Sequence, residues 1–270
     1  MRLLNLGCGR RFHRDWTNLD FVSIEPSVQA HDLRLGLPFG DNEFDAVYHS
    51  HVLEHFTKIE GEKFINECYR VLKTNGVIRV VVPDLEQIAR LYLRSLSDVM
   101  IEQTPFSAAA YDWSIVELFD QMVRESSGGE MKAIWSQDFI INEKQIVSRA
   151  GQEYIGYRKA LANHIEGSLG TPRHSFMRTA KMMLRSVLLR FLQINESDVD
   201  IGRFRNCGEC HKWMYDRFSL SRLLTSTGFR FAAIKTPIES EIPNWSQYKV
   251  LDVEGDDPRK PDSLYMEAVK

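Results

Sequence analysis

The chain lacks any apolar run of membrane-spanning length, which argues against an integral helical membrane protein. It lacks a charge excess: 34 Lys and Arg against 37 Asp and Glu leave a formal net charge of −3. Nothing in that balance suggests capture of a nucleic-acid backbone. Cysteine is scarce. Cys8, Cys68, Cys207 and Cys210 are too few for the disulfide framework of a small secreted domain and are read as reduced thiols. Internal repeats and low-complexity tracts are absent. A core strand starts almost at Met1, which leaves no room for a signal peptide, and a cytoplasmic location is expected. The 270 residues suffice for one large α/β domain, or a domain with a sizeable insertion.

What is present is an alternation of strand and helix signals. Arg2 to Leu6 is a short apolar run stopped by Gly7-Cys8-Gly9, the pattern of a buried parallel strand. Thr17 to Asp20 and Val28 to Asp32 are further short strands, and Phe44 to Ser50 is a stronger one. Thr57 and Glu60 have capping-box spacing ahead of a helix that carries Phe64, Cys68, Val71 and Leu72 on one face. Asn75-Gly76 turns the chain into the β-branched strand Val77 to Val82, ended by Pro83. This order predicts an α/β fold with a parallel sheet covered on both faces and ligands beyond the carboxyl ends of its strands. From about Leu85 to Arg205 strand signals nearly vanish, and a helical insertion or cap is expected. Strand signals return at Phe229 to Lys235 and Leu264 to Val269, with a helix over Phe218 to Thr225. The domain reading is a sheet domain of residues 1–90 and 206–270 with an insertion at 91–205.

The residues after each strand carry the chemistry. Gly7 and Gly9 allow a ligand close to the backbone. The nicotinamide-type G-x-G-x-x-G pattern is broken, because position 12 is Phe12. Asp20 ends the second strand, where a carboxylate accepts hydrogen bonds from a ribose diol. Asp32-Leu33 pairs an acid for an adenine amino group with an apolar cover. His49-Ser50-His51 follows the fourth strand. Singly, each acid is more often a solvated loop residue or helix cap; the ordered set is the signal.

These residues, from Leu4-Asn5-Leu6-Gly7-Cys8-Gly9 through Trp16-Thr17-Asn18-Leu19-Asp20, Leu37-Pro38-Phe39, His51-Val52-Leu53-Glu54-His55 and Arg70-Val71-Leu72-Lys73 to Val82-Pro83-Asp84-Leu85, resemble class I S-adenosylmethionine-dependent methyltransferases of the type 11 group. His211 to Asp216 and the ending Arg259 to Ala268 resemble one bacterial branch of uncharacterised predicted methyltransferases. The resemblance implies a Rossmann-like sheet of about seven strands, the last antiparallel. It implies S-adenosylmethionine as cofactor, with Asn5, Gly7, Cys8 and Gly9 at its methionine part, Asp20 at the ribose and Asp32 with Leu33 at the adenine. His49, Ser50 and His51 would lie near the sulfonium. Asn5 stands where the group usually has an acid, and Arg11 where it has a third glycine. Only Arg10 to Thr17 lies between the glycines and the second strand, although a parallel crossover normally takes a dozen residues or more. The first helix is therefore expected to be very short or missing, with Arg10 or Arg11 as candidate partners of the methionine carboxylate.

Methyl transfer needs in-line alignment and exclusion of water, and a hydroxyl acceptor gains from a general base. His51, His55 and His211 are the catalytic candidates. No Asn/Asp-Pro-Pro-Tyr/Phe motif of DNA amino-methyltransferases is present, so nucleic acid is not the expected acceptor. A small-molecule or glycan hydroxyl is. Trp113, Trp135, Trp213, Tyr215 and Trp245 could line its pocket, though core packing is the commoner fate of such residues. No metal is expected: the His49 to His55 stretch is one residue too long for H-x-H-x-D-H. Cys207-Gly208-Glu209-Cys210-His211 matches a haem-attachment pattern but reads as a turn. The basic, apolar stretch Arg178 to Leu192 reads as a lid in preference to a membrane-surface helix. Rival readings are an inactive S-adenosylmethionine-binding partner subunit and a nicotinamide-dependent oxidoreductase.

Overall fold

Seven strands form one sheet in the order β3-β2-β1-β4-β5-β9-β6. They are β1 (Leu3–Leu6), β2 (Thr17–Asp20), β3 (Val28–Ala30), β4 (Phe44–Ser50), β5 (Leu72–Pro83), β6 (Arg230–Lys235) and β9 (Ser263–Val269). A two-stranded ribbon, β7 (Val253–Glu254) with β8 (Asp257–Pro258), stands apart. The first five strands pair in parallel, and β9 runs antiparallel between β5 and β6. This is the Rossmann-like order with an antiparallel last strand. The computed structural model describes residues 1–23, 25–167 and 191–270.

Helix α1 (Lys58–Val71) forms where the capping-box spacing predicts it, with Thr57 and Glu60 exchanging side-chain and backbone bonds. Its Phe64, Ile65, Cys68 and Val71 pack on the sheet face made by Leu4, Leu6, Val47, Ile78, Val80 and Val82. Residues 73–76 loop out of register against β4, so that Ala46 pairs with Val77. Asn75, at φ 63, makes this bend in the left-handed region.

The opposite face is covered too, without crossover helices after the first two strands: among the described residues, no helix lies between β1 and β2 or between β2 and β3. The connection of residues 7–16 is too short for one. Two asparagines hold it instead. Buried Asn5 donates to the Arg11 carbonyl and to Asn18 Oδ1, both at 3.1 Å. Asn18 donates to the carbonyls of His13 at 3.0 Å and Trp16 at 2.8 Å. The bared face is covered by Trp16 and by the long connection from β6 to β9, whose Ile242, Trp245, Tyr248 and Leu251 pack on Leu3, Ala46, Tyr48, Val77 and Val81.

Between β5 and β6 the chain makes α2 (Leu85–Ile101), α3 (Pro105–Val123), α4 (Gly129–Trp135), α5 (Glu143–Ala150), α6 (Gln152–Gly167), α7 (Glu196–Arg205) and α8 (Arg217–Thr227). Helix α8 returns to the α1 face through Leu220, Leu223 and Leu224. The others form the helical insertion, which begins directly at Leu85 and has its own core of Trp113, Met131, Trp135, Ile140, Ile146 and Tyr154. The stretch expected to form a lid lies, except for Phe191 and Leu192, outside the described residues. No helix among the described residues is long and apolar enough to cross a membrane.

Candidate functional site

The parallel strands β3, β2, β1 and β4 are neighbours, so the residues that follow them share one edge of the sheet. At the end of β1, Gly7 and Gly9 adopt φ 63 and 54. Gly7 is dictated by packing: a Cβ there would stand 2.4 Å from Val52 Cγ2. At Gly9 a Cβ would meet nothing within 4 Å. The Gly9 N–H donates to Asp20 Oδ2 at 2.7 Å, which ties the glycine loop to the tip of β2. The other carboxylate oxygen of Asp20 has only the Val22 N–H, at 3.4 Å. Burial, with the Asp20 charge, pushes the Cys8 thiol up to about 12. Phe21 and Val22 beside Asp20 are exposed apolar side chains.

Three other expected cofactor residues have committed side chains. Asn5 holds the loop from the opposite sheet face. Asp32 caps the short helical turn Leu33–Leu35 and takes a forked pair of bonds from Arg34, while Leu33 rests against the edge of the main core. His49 is fully buried with its ring 5.0 Å from that of Phe64 and no partner for either nitrogen. Burial pulls its pKa down to about 4. Ser50 is half-buried at the end of β4. Arg11 is paired with Glu254 at 2.5 Å.

The three histidines chosen from sequence come together. His51 leaves β4 at φ 54, a strained conformation of the kind that collects at functional sites. Its Nδ1 lies 3.2 Å from Glu54 Oε1, and its Nε2 meets Ser263 Oγ at 2.8 Å. His55 Nδ1 faces the Cys210 carbonyl at 3.2 Å, and its ring meets that of His211 edge-on at 4.9 Å. His211 Nε2 lies 4.0 Å from Glu54 Oε1. Fully buried Glu54 is thus surrounded by imidazoles. Burial pushes its carboxyl up, but the histidines, His51 foremost, more than reverse this, and the net shift is downward. His211 is lowered to about 3, chiefly by burial and against the pull of Glu54.

The segment carrying His211 is held from three sides. His211 N–H donates to the Gln121 carbonyl of α3 at 2.9 Å, and Lys212 N–H to the Glu54 carbonyl at 2.7 Å. Gly61 of α1 leaves room for Tyr215, since a Cβ there would stand 2.9 Å from its hydroxyl.

These histidines line a cleft of about 460 Å³ between the sheet edge and the insertion, with Met131, Trp135 and Tyr157 from the insertion and Lys260 from the approach to β9. Arg124 is paired with Asp120 at 2.5 Å and Glu209 at 3.1 Å, and Lys260 with Glu153 at 3.4 Å, while Lys132 also lines the cleft. Of the five aromatics considered from sequence, Trp135 lines this cleft. Trp113, Tyr215 and Trp245 are core, and Trp213 is 40% exposed. Cys207 and Cys210 are free thiols. Sequence reasoning passed over Glu54 and Ser263 as site residues. The i, i+3 spacing of His51 and Glu54 after a strand was a usable signal for the first. Nothing local marks Ser263, which arrives 212 residues later in the chain.

Residues 4–80 match the family model of the type 11 methyltransferase domain, a span that holds the glycine loop, β4 and α1. No curated protein matches the chain. Among solved structures, a SAM-dependent methyltransferase from Archaeoglobus fulgidus is 13% identical over 100% of this chain and 86% of its own, at a TM-score of 0.41. One from Mesorhizobium loti is 13% identical over 100% of this chain and 90% of its own, at 0.39. The YcgJ protein of Bacillus subtilis is 21% identical over 34% of this chain, at 0.27, and the match spans about half of that protein (52%). Residues 4–80 are thus similar to a methyltransferase domain, and they lie in a sheet of Rossmann-like order.

Proposed function

We propose that this chain is an S-adenosylmethionine-dependent methyltransferase acting on a hydroxyl of a small or medium acceptor, such as a glycan or secondary metabolite. One observation carries the reading. The His51–Glu54 segment touches the glycine loop through Val52 and Gly7 on one side and lines the histidine cleft on the other. A donor on the loop and an acceptor in the cleft would therefore meet there.

The open space at Gly9 and the under-used carboxylate oxygen of Asp20 fit the backbone and ribose parts of the cofactor. Exposed Phe21 and Val22 offer an apolar platform beside them. When bound, S-adenosylmethionine supplies an electrophilic methyl on a sulfonium. The protein's own tasks are alignment and proton removal. Glu54 orients His51 through Nδ1, and Nε2, now facing the Ser263 hydroxyl, is the atom available to take an acceptor proton. Trp135 and Tyr157 give the cleft aromatic faces suited to a sugar ring.

The test is titration calorimetry with S-adenosylmethionine, joined to a methyl-release assay over a panel of hydroxyl acceptors. Asp20→Ala is expected to weaken cofactor binding by about 1–3 kcal/mol. His51→Ala is expected to keep that affinity and lower turnover by about 100-fold or more. Cofactor binding unchanged in Asp20→Ala would remove the site from the loop. Cofactor binding with no methyl release on any acceptor would favour a non-catalytic binding subunit.

A further inference from the structure

Among the described residues, Glu54, His55 and His211 form the one group of three or more His, Cys, Asp and Glu side chains close enough to hold a metal ion, with ligand atoms within 4.8 Å of one another. The carboxylate is fully buried, and neither of its oxygens accepts a hydrogen bond of good geometry. An ionised carboxylate in that state needs a positive partner or a coordinated cation. His51, at 3.2 Å, is the nearest side chain that could supply charge. His211 is 4% exposed and turns Nε2 toward the same oxygen.

The imidazoles are arranged as metal ligands are. His55 spends Nδ1 on the Cys210 carbonyl, the bond that fixes a ligating histidine and leaves Nε2 free to coordinate. His51 stands beside the carboxylate, with Nδ1 3.2 Å from Oε1, as the neighbour that can support it. We propose that Glu54, His55 and His211 hold one first-row divalent cation of the Zn²⁺, Co²⁺ or Mn²⁺ class, with open coordination toward the cleft. Two imidazoles with one carboxylate suit such ions better than Mg²⁺ or Ca²⁺, which favour all-oxygen shells. Tetrahedral ligands at about 2.1 Å from an ion lie about 3.4 Å apart. The ligand atoms, within 4.8 Å of one another, would close toward that spacing around an ion. Three protein ligands leave a position for an oxygen from the cleft, which makes the ion an anchor for a hydroxyl acceptor. That role rests on the function proposed above; the ion's binding does not.

The experiment uses the full chain, stripped with chelator and titrated with Co²⁺. Metal analysis gives the stoichiometry, visible absorption reports the coordination sphere, and circular dichroism checks the fold. One Co²⁺ per chain is expected, displaced by Zn²⁺, with a band typical of nitrogen and oxygen ligation. Glu54→Gln and His211→Ala are each expected to weaken binding by at least about tenfold. His55→Asn, at a half-buried cleft position, gives the same readout if the buried variants unfold. Cys207→Ser, which removes the exposed thiol, is expected to leave binding unchanged. No saturable Co²⁺ binding below about 1 mM, or binding unaltered in folded His55→Asn, would overturn the proposal. S-adenosylmethionine calorimetry on the metal-free chain separates the two readings, since cofactor binding can fail while the ion binds, or the reverse.

Discussion

At the scale of single residues, the sequence marks positions and the surroundings assign their work. His49 and His51 are two apart, a spacing that a continuous strand would put on one face, but β4 ends at Ser50 and His51 turns away at φ 54. The first is sealed against Phe64 with both ring nitrogens unpaired; the second lines the cleft. This has a consequence for pH. The folded pKa of His49 is about 4 against an ordinary 6.5, so between these values the unfolded chain binds a proton that the folded one does not. Stability from this residue is complete above pH 6.5 and is lost as pH falls toward 4, by about 3 kcal/mol. His49→Leu is expected to flatten that part of the stability–pH curve in urea titrations. An unchanged slope between pH 6.5 and 4 would assign the loss to other groups. Asp20, in contrast, is proposed as a site residue because an acid ending a strand beside a glycine loop has few structural duties. Here its one strong bond is to the loop itself.

Among the elements, the missing first helix is the informative departure. Its absence was readable, since the stretch from the glycines to β2 is too short for a helical crossover. The substitute was not. Asn5 and Asn18 serve the loop carbonyls that a helix would have satisfied internally. Asn5, where the methyltransferases that the sequence resembles usually have an acid, donates twice through its amide, which an ionised carboxylate cannot do. Asn5→Ala leaves two buried acceptors without their donor and is expected to destabilise the chain by about 1–3 kcal/mol. Asn5→Asp should not restore it, since the ionised side chain has no N–H. Urea unfolding with amide exchange over residues 7–16 checks both. Full stability in Asn5→Ala would show that the loop holds without this pair.

At the scale of the whole molecule, one buried cation joins the sheet to the segment that replaces its lost helices. Arg79, on the face away from α1, is fully buried. It bonds Asp252 at 2.8 Å and Glu267 at 2.7 Å, and the carbonyls of Thr236 and Glu239 at 2.9 Å each. Trp245 stacks on its guanidinium at 4.5 Å. The four bonded residues come from β9 and from the β6–β9 connection, so this side chain fastens the connection to the face that Trp16 and Tyr48 also cover. Arg79→Met would strand two carboxylates in the interior and is expected to cost about 3–5 kcal/mol. Arg79→Lys should recover only part of that, because an ammonium cannot reproduce the planar fork. Guanidinium chloride unfolding of the two variants decides the point. Equal stability of Arg79→Met and the parent would mean that the segment is held by its apolar contacts alone.

The sequence by itself determined what local patterning can encode. It set the β1 to β5 succession, the capped helix α1, the helical character of the insertion, and the strand ends at which Gly7, Gly9, Asp20 and His51 stand. Periodicity, caps and glycine placement act within a few residues of chain, so they survive in a linear reading. Only the tertiary structure decided which histidine is core and which lines the cleft, that Glu54 sits among three imidazoles, that Ser263 reaches His51, and that residues 236–252 cover a face left bare by short crossovers. Those outcomes depend on contacts between distant segments, such as His51 with Ser263 and Trp16 with Tyr248. Burial, not residue type, then set the protonation and freedom of each side chain.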